Sequence, residues 1–240
     1  MTRASYVQRR GEIEAYFDRT AVQAWARLTS DAPVSGVRAT VRAGRQSMRE
    51  LLVQWLVSHG ASGVHPLLGR QVLDAGCGTG LLAVDVARYG ADVLGIDLSP
   101  TLVDLAGERL PGDLAPGSVK LCAGDMLDES LGSFDHLVAM DSLIHYAPHQ
   151  AVSALMTLAP RIRHSMLFTF APGNPLLMGM MAVGRLFPRG DRSPAIVPVP
   201  PTRLVGLLEQ SLGPLGWRVG RTQRVSRGFY TSQAMELLRS

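Results

Sequence analysis

Val72-Leu73-Asp74-Ala75-Gly76-Cys77-Gly78-Thr79-Gly80 sets the frame for the rest of this chain. A short apolar run ends in an acid, a glycine loop follows, and a helical pattern begins at Leu81. Strand, loop and helix in that order form the opening unit of an α/β sheet. The glycines at 76, 78 and 80 have the spacing GxGxG. Lacking a Cβ, they let the chain turn sharply and bring its backbone against a ligand. This is not the GxGxxG of dinucleotide-binding loops, which seats a pyrophosphate on a helix N-terminus.

Downstream the same rhythm repeats. Strand-like runs at 71–74, 92–97, 119–122, 136–140 and 165–170 alternate with helical patterns at 81–89, 101–110 and 149–159. Ser99-Pro100 supplies an N-cap and first-turn proline for the helix at 101. Such alternation predicts a parallel sheet. After Pro172 the rhythm breaks: residues 173–202 hold six of the fifteen prolines and an apolar patch, which reads as an inserted lid. A helix at 202–212 and strands at 217–225 and 229–236 complete the pattern. Upstream, residues 5–28 carry Ile13, Tyr16, Phe17, Val22, Trp25 and Leu28 at helical spacing. A second helix is expected at 38–57, then a glycine-rich linker at 59–69. The expected organisation is a helical arm over residues 1–60 and an α/β domain over 61–240, its lid at about 172–202.

With 240 residues, 46% hydrophobic and 18% charged, the chain can bury one sizeable core. No apolar run approaches the ~20 residues of a membrane span, and the N-terminus shows no signal-peptide core, so the expected location is the cytoplasm. Cys77 and Cys122 are too few for a disulfide scaffold or a zinc site, and no metal site is expected. The net charge of +4 is unevenly spread. Residues 1–50 carry nine arginines against five acids, residues 70–164 six bases against twelve acids, and residues 185–240 nine arginines against three acids. Basic flanks around an acidic middle read either as a solvated arginine-rich surface or as faces for an anionic partner.

In open α/β sheets, ligands bind beyond the carboxyl ends of the strands. Asp74, Asp97, Asp125 and Asp141 all fall at or near such ends. Any one of them alone could cap a turn, which is the reading for Asp128 and Asp135. The run Phe134-Asp135-His136-Leu137-Val138-Ala139-Met140-Asp141-Ser142-Leu143-Ile144-His145-Tyr146 reads as a buried strand that delivers Asp141 to the site. His145 and Tyr146 follow in its loop.

The glycine loop, Asp97 seventeen residues after Gly80, and Ala123-Gly124-Asp125-Met126 together resemble the class I S-adenosylmethionine-dependent methyltransferases. The resemblance implies a Rossmann-like seven-stranded sheet with S-adenosylmethionine as cofactor. It implies that Asp97, with Leu98 beside it, receives the ribose hydroxyls and that Asp125 and Met126 hold the adenine. Asp74, Gly76, Cys77, Gly78 and Gly80 would face the methionine tail, and Met140 and Asp141 would also bind the cofactor. The Asn/Asp-Pro-Pro-Tyr/Phe segment of amino-methylating nucleic-acid enzymes is missing after strand four, so no nucleic-acid partner is expected.

Further segments resemble a narrower family, the magnesium protoporphyrin IX O-methyltransferases of chlorophyll and bacteriochlorophyll biosynthesis. Tyr16-Phe17-Asp18 with Trp25-Ala26-Arg27 is similar to the family's arm, and Val41-Arg42-Ala43-Gly44-Arg45 to its R-x-G helix. Met140 to Tyr146 is similar to its segment after strand four. Leu186-Phe187-Pro188-Arg189 with Arg192-Ser193-Pro194 is similar to its lid, and Ser226-Arg227-Gly228-Phe229-Tyr230 to its C-terminal strand. Leu28-Thr29 departs from the pattern, since a tyrosine is expected there in the chlorophyll-type relatives; Tyr16 becomes the arm candidate. The resemblance implies His145 and Tyr16 as catalytic residues, and Tyr146, Arg42, Met178, Phe187 and Arg189 as substrate-binding residues. It also implies Mg-protoporphyrin IX as substrate, contact with a magnesium chelatase subunit, and peripheral attachment to the photosynthetic membrane. Methylation of another small molecule, such as a quinone precursor, and a non-catalytic cofactor-binding scaffold are the other readings.

Overall fold

The computed structural model describes residues 3–16 (side chains from residue 8), 18, 36–173 and 196–240. Helices α1 (Arg3–Tyr16) and α2 (Val37–Val57) precede β1 (Gln71–Ala75). Then come α3 (Leu81–Ala87), β2 (Asp92–Asp97), α4 (Pro100–Glu108), β3 (Ser118–Ala123), β4 (Phe134–Ala139), α5 (Pro148–Leu158) and β5 (Ile162–Phe170). Helix α6 (Pro201–Leu212) leads to β6 (Trp217–Arg227) and β7 (Tyr230–Arg239). The seven strands form one sheet in the order β3-β2-β1-β4-β5-β7-β6. Strands β1 to β5 run parallel, while β7 is antiparallel to β5 and β6. This is the seven-stranded Rossmann-like fold of class I methyltransferases. The strand order reverses between β1 and β4, which places the ligand crevice at their carboxyl ends.

The strands alternate between two cores, as a doubly covered sheet requires. Val72, Val138 and Leu167 pack with α2 and α3, whereas Leu73, Leu137 and Phe168 pack with α5 and α6. Helix α2 buries Met48, Leu52 and Leu56 fully, at the i, i+4, i+8 spacing of one helical face. No break in packing separates α2 from the sheet; it lies against β6, β7 and α3 within the same core. Gly44 permits this approach, because a Cβ there would lie 2.5 Å from Cδ1 of Tyr230.

The segment expected as a lid lies almost wholly outside the described residues. Its two ends are joined: Gly173 N–H donates to Val199 O at 2.9 Å, and Val199 N–H to Ala171 O at 3.0 Å. No helix among the described residues is long and apolar enough to cross a membrane.

Candidate active site

Beyond the carboxyl ends of β1, β2 and β4 lies a cavity of about 270 Å³. It is lined by the glycine loop, Asp74, Asp97, Leu98, Asp125, Met126, Met140, Asp141, His145 and Tyr146, and walled by Arg42, Arg45 and Arg49 of α2. The structure therefore brings together all the expected cofactor residues except Gly80, which lies in the loop but not in the lining, and three of the expected catalytic and substrate residues. Tyr16 is half-buried at the end of α1 and is not among the lining residues. Met178, Phe187 and Arg189 lie outside the described residues.

The loop is built for close approach. Gly76 (φ +86°) presses against the segment after β4, where a Cβ would meet Ser142 Cβ at 2.4 Å. Ser142 Oγ in turn donates to Ala75 O at 2.7 Å. Asp97 Oδ2 accepts from Gly78 N–H at 2.8 Å, and its Oδ1 from Ser99 N–H at 3.0 Å. Burial raises the Asp97 pKa, and these N–H donors offset part of the rise. Ser99 caps α4 as expected, its Oγ accepting from Leu102 N–H at 3.2 Å.

Asp74 sets the electrostatics. It is 1% exposed, and its Oδ2 has no hydrogen-bond partner among the described residues. Burial, with the charge of Asp97 adding to it, pushes its pKa up to about 7. Native proteins seldom leave a buried carboxylate oxygen unmet, and such a group marks a place completed by something else. Four acids lining one cavity suit a cationic ligand, and the positive-φ glycines leave backbone N–H groups and open space beside them. Those features fit S-adenosylmethionine, whose sulfonium and ammonium are both cationic.

The arm closes one side. Arg10 pairs with Asp125 at 3.0 Å, Arg9 Nε donates to His145 O at 2.9 Å, and Ile13 is buried in the cavity wall. Asp18 Oδ1 accepts from Ser99 Oγ at 3.0 Å and Thr101 Oγ1 at 2.7 Å, adding a carboxylate at the N-terminus of α4. The sequence reading assigned no role to Arg9, Arg10 or Arg45. Arg45 had a visible signal, since Arg42, Arg45 and Arg49 share one helical face.

Asp141 is tied more heavily than expected. Its φ of +56° is the one positive value at a non-glycine residue among those described. Its carboxylate accepts from Arg45 NH1 at 2.5 Å, Thr169 Oγ1 at 3.1 Å and Tyr230 Oη at 3.2 Å, with Ser232 Oγ at 3.5 Å. Burial, and then the Asp141 charge, raise the Tyr230 pKa. Cys77 and Cys122 are free and partly buried, and burial raises both thiols.

Comparison with known proteins gives the chain's family. The family model described as "Magnesium-protoporphyrin IX methyltransferase C-terminus" matches residues 139–239, and a general methyltransferase domain matches residues 72–163. A magnesium-protoporphyrin O-methyltransferase of Rhodobacter capsulatus is 44% identical over 97% of this chain and 98% of its own length. Its counterpart in Synechocystis is 31% identical over 95% of both chains. The crystal structure of magnesium protoporphyrin IX methyltransferase from Synechocystis PCC 6803 with bound SAH superposes with a TM-score of 0.80, covering 96% of this chain and 99% of that one. Such likeness along nearly the whole length makes this chain a member of the magnesium-protoporphyrin O-methyltransferase family.

Proposed function

We propose that this chain esterifies a propionate of Mg-protoporphyrin IX with the methyl group of S-adenosylmethionine, yielding the monomethyl ester in (bacterio)chlorophyll biosynthesis. The observation that carries the reading is the full-length relationship to a methyltransferase named for that substrate. The cavity supports it physically: its lining holds carboxylates for a cation and guanidinium groups for an anion.

When bound, S-adenosylmethionine supplies a methyl group on a sulfonium, an electrophile that needs no metal. Asp97 and Leu98 hold its ribose, Asp125 and Met126 its adenine, and Asp74 with Gly76, Cys77, Gly78 and Gly80 its amino-acid tail. Met140 packs beside them, buried at the end of β4. A propionate with a pKa of about 4.5 is already ionised at neutral pH, so no residue has to take a proton. The protein's work is then to position the carboxylate and exclude water.

His145 and Tyr146 sit in a single 3-10 turn and its cap after β4, both buried in the cavity wall, and we assign them to orienting the propionate. Arg42 lies on the α2 wall for the substrate's carboxylates. Tyr16, Met178, Phe187 and Arg189 complete the substrate side in this reading, as arm and lid residues against the macrocycle. The same reading includes contact with a magnesium chelatase subunit and peripheral attachment to the photosynthetic membrane. The basic flanks and Phe229, 75% exposed, support the attachment; co-sedimentation with anionic vesicles tests it.

Incubation with Mg-protoporphyrin IX and S-adenosylmethionine should add the mass of one methylene to the porphyrin. Methylation of a quinone precursor and not the porphyrin would overturn the assignment. His145→Ala should lower turnover at least tenfold and leave cofactor affinity within about twofold; wild-type turnover would remove His145 from the site.

A further inference from the structure

The cavity that must admit an anionic substrate is lined by four carboxylates, from Asp74, Asp97, Asp125 and Asp141. Asp125 and Asp141 are already paired, with Arg10 and Arg45, but a propionate approaching Asp74 and Asp97 would be repelled unless a cation receives it. Among the described residues, the basic side chains lining the cavity besides His145 are Arg42, Arg45 and Arg49, all on one face of α2. They are not equivalent. Arg49 is bound at 2.6 Å to Asp85 of α3, away from the loop. Arg45 is bound to Asp141, and Asp141 adjoins Ser142, the residue against which Gly76 of the glycine loop is pressed. The Arg45 guanidinium is therefore held alongside the loop that faces the cofactor.

Asp141 itself calls for an explanation. A non-glycine residue at φ +56° carries backbone strain. Its side chain is 6% exposed, and a buried ion pair is weak grounds for stability because desolvation cancels much of the attraction. Yet the carboxylate is fixed by hydroxyls from β5 and β7 (Thr169, Tyr230 and Ser232), so it cannot swing. Gly44 lets α2 approach Tyr230 and brings Arg45 to this anchor. Strain and burial at one residue, directed at one guanidinium, describe a device for holding that guanidinium in place.

We propose that Arg45 is the residue that receives the propionate carboxylate to be methylated, and that Asp141 is the positioning residue that holds Arg45. A planar guanidinium can bind carboxylates through two edges, which lysine's point charge does less well. This rests on the reading of the substrate as a porphyrin propionate.

The test compares Mg-protoporphyrin IX with its dimethyl ester as ligands of the wild type, Arg45→Ala and Arg45→Lys. Wild type should bind the free acid at least tenfold more tightly than the ester. In Arg45→Ala that preference should fall to within twofold, with KM for the porphyrin up at least tenfold and S-adenosylmethionine affinity within twofold. Arg45→Lys should lie between, and it carries the test if Arg45→Ala, which strands the buried Asp141 charge, fails to fold. Asp141→Asn should weaken the acid preference in the same direction, and adding it to Arg45→Ala should cost nothing more. An acid preference unchanged in both Arg45 variants overturns the proposal, as does an equal loss of cofactor affinity. If wild type does not turn over the porphyrin at all, the substrate reading falls and takes this assignment with it.

Discussion

Asp74 and Glu236 are each 1% exposed, yet the protein treats them in opposite ways. Glu236 lies on β7, three strands across the sheet from β1, and does not line the cavity. Its Oε1 meets His59 Nε2 at 2.7 Å and Arg221 NH2 at 2.5 Å, and its Oε2 accepts from Arg221 Nε at 2.8 Å and Arg221 N–H at 3.2 Å. Arg221 also stacks 5.0 Å over Trp55 and donates to Ser58 Oγ. Although burial opposes it, these donors hold the Glu236 pKa down at about 2. Asp74 has an unmet oxygen and a pKa pushed up to about 7. His136 near Glu236 also leaves Nε2 unpartnered, but burial and the flanking His59 and His164 push its pKa to about 4, so it stays neutral. Asp74 pairs with Val138, Val138 with Leu167 and Leu167 with Glu236, so one row of the sheet holds both a charge committed to folding and a charge kept for a ligand.

The comparison can be broken at either end. The largest effect is expected from Glu236→Ala, which strands Arg221 and His59. Chemical denaturation should show a loss of about 3 kcal/mol, the low end for a broken buried pair because Arg221 is partly exposed. Turnover per folded molecule should not change. The sign of the pH dependence follows from the lowered pKa. The Glu236 contribution is complete above its ordinary 4.5 and is lost as pH falls toward about 2, and the variant should lack that acid-induced loss. Next in size is Asp74→Asn. Cofactor affinity by titration should fall at least tenfold, about 1.4 kcal/mol. Stability should hold or rise slightly at pH 8, because a raised pKa makes the ionised Asp74 a cost to folding above its ordinary value of 3.8, full above about 7. Loss of stability with intact binding would invert the comparison.

Much of this architecture could be read from the chain itself. Strand β2 matches its expected bounds, and β1, β3, β4 and β5 differ by one to three residues, because apolar runs between glycine and proline punctuation are local signals. The glycine loop and the acids at strand ends were equally legible, since spacing alone carries them. What could not be read is what joins distant residues. Arg45 and Asp141 are 96 positions apart, Tyr230 and Asp141 are 89 apart, and Arg10 and Asp125 are 115 apart. Nor does sequence spacing reveal that α2 lies in the core of the sheet; that depends on Gly44 meeting Tyr230. Nothing local distinguishes Asp74 from Glu236 either, since a buried acid is met or unmet only once the fold has closed.

The smallest signal is also the most direct. Below pH 7 the empty site should hold Asp74 protonated, and a cationic cofactor should expel that proton as it binds. Calorimetric titration of S-adenosylmethionine at pH 6, in buffers of different ionisation enthalpy, counts it. The account predicts release of close to one proton per site in wild type and none of that increment in Asp74→Asn. Equal proton counts in the two proteins would contradict the claim that the unmet carboxylate at the end of β1 is the seat of the cofactor.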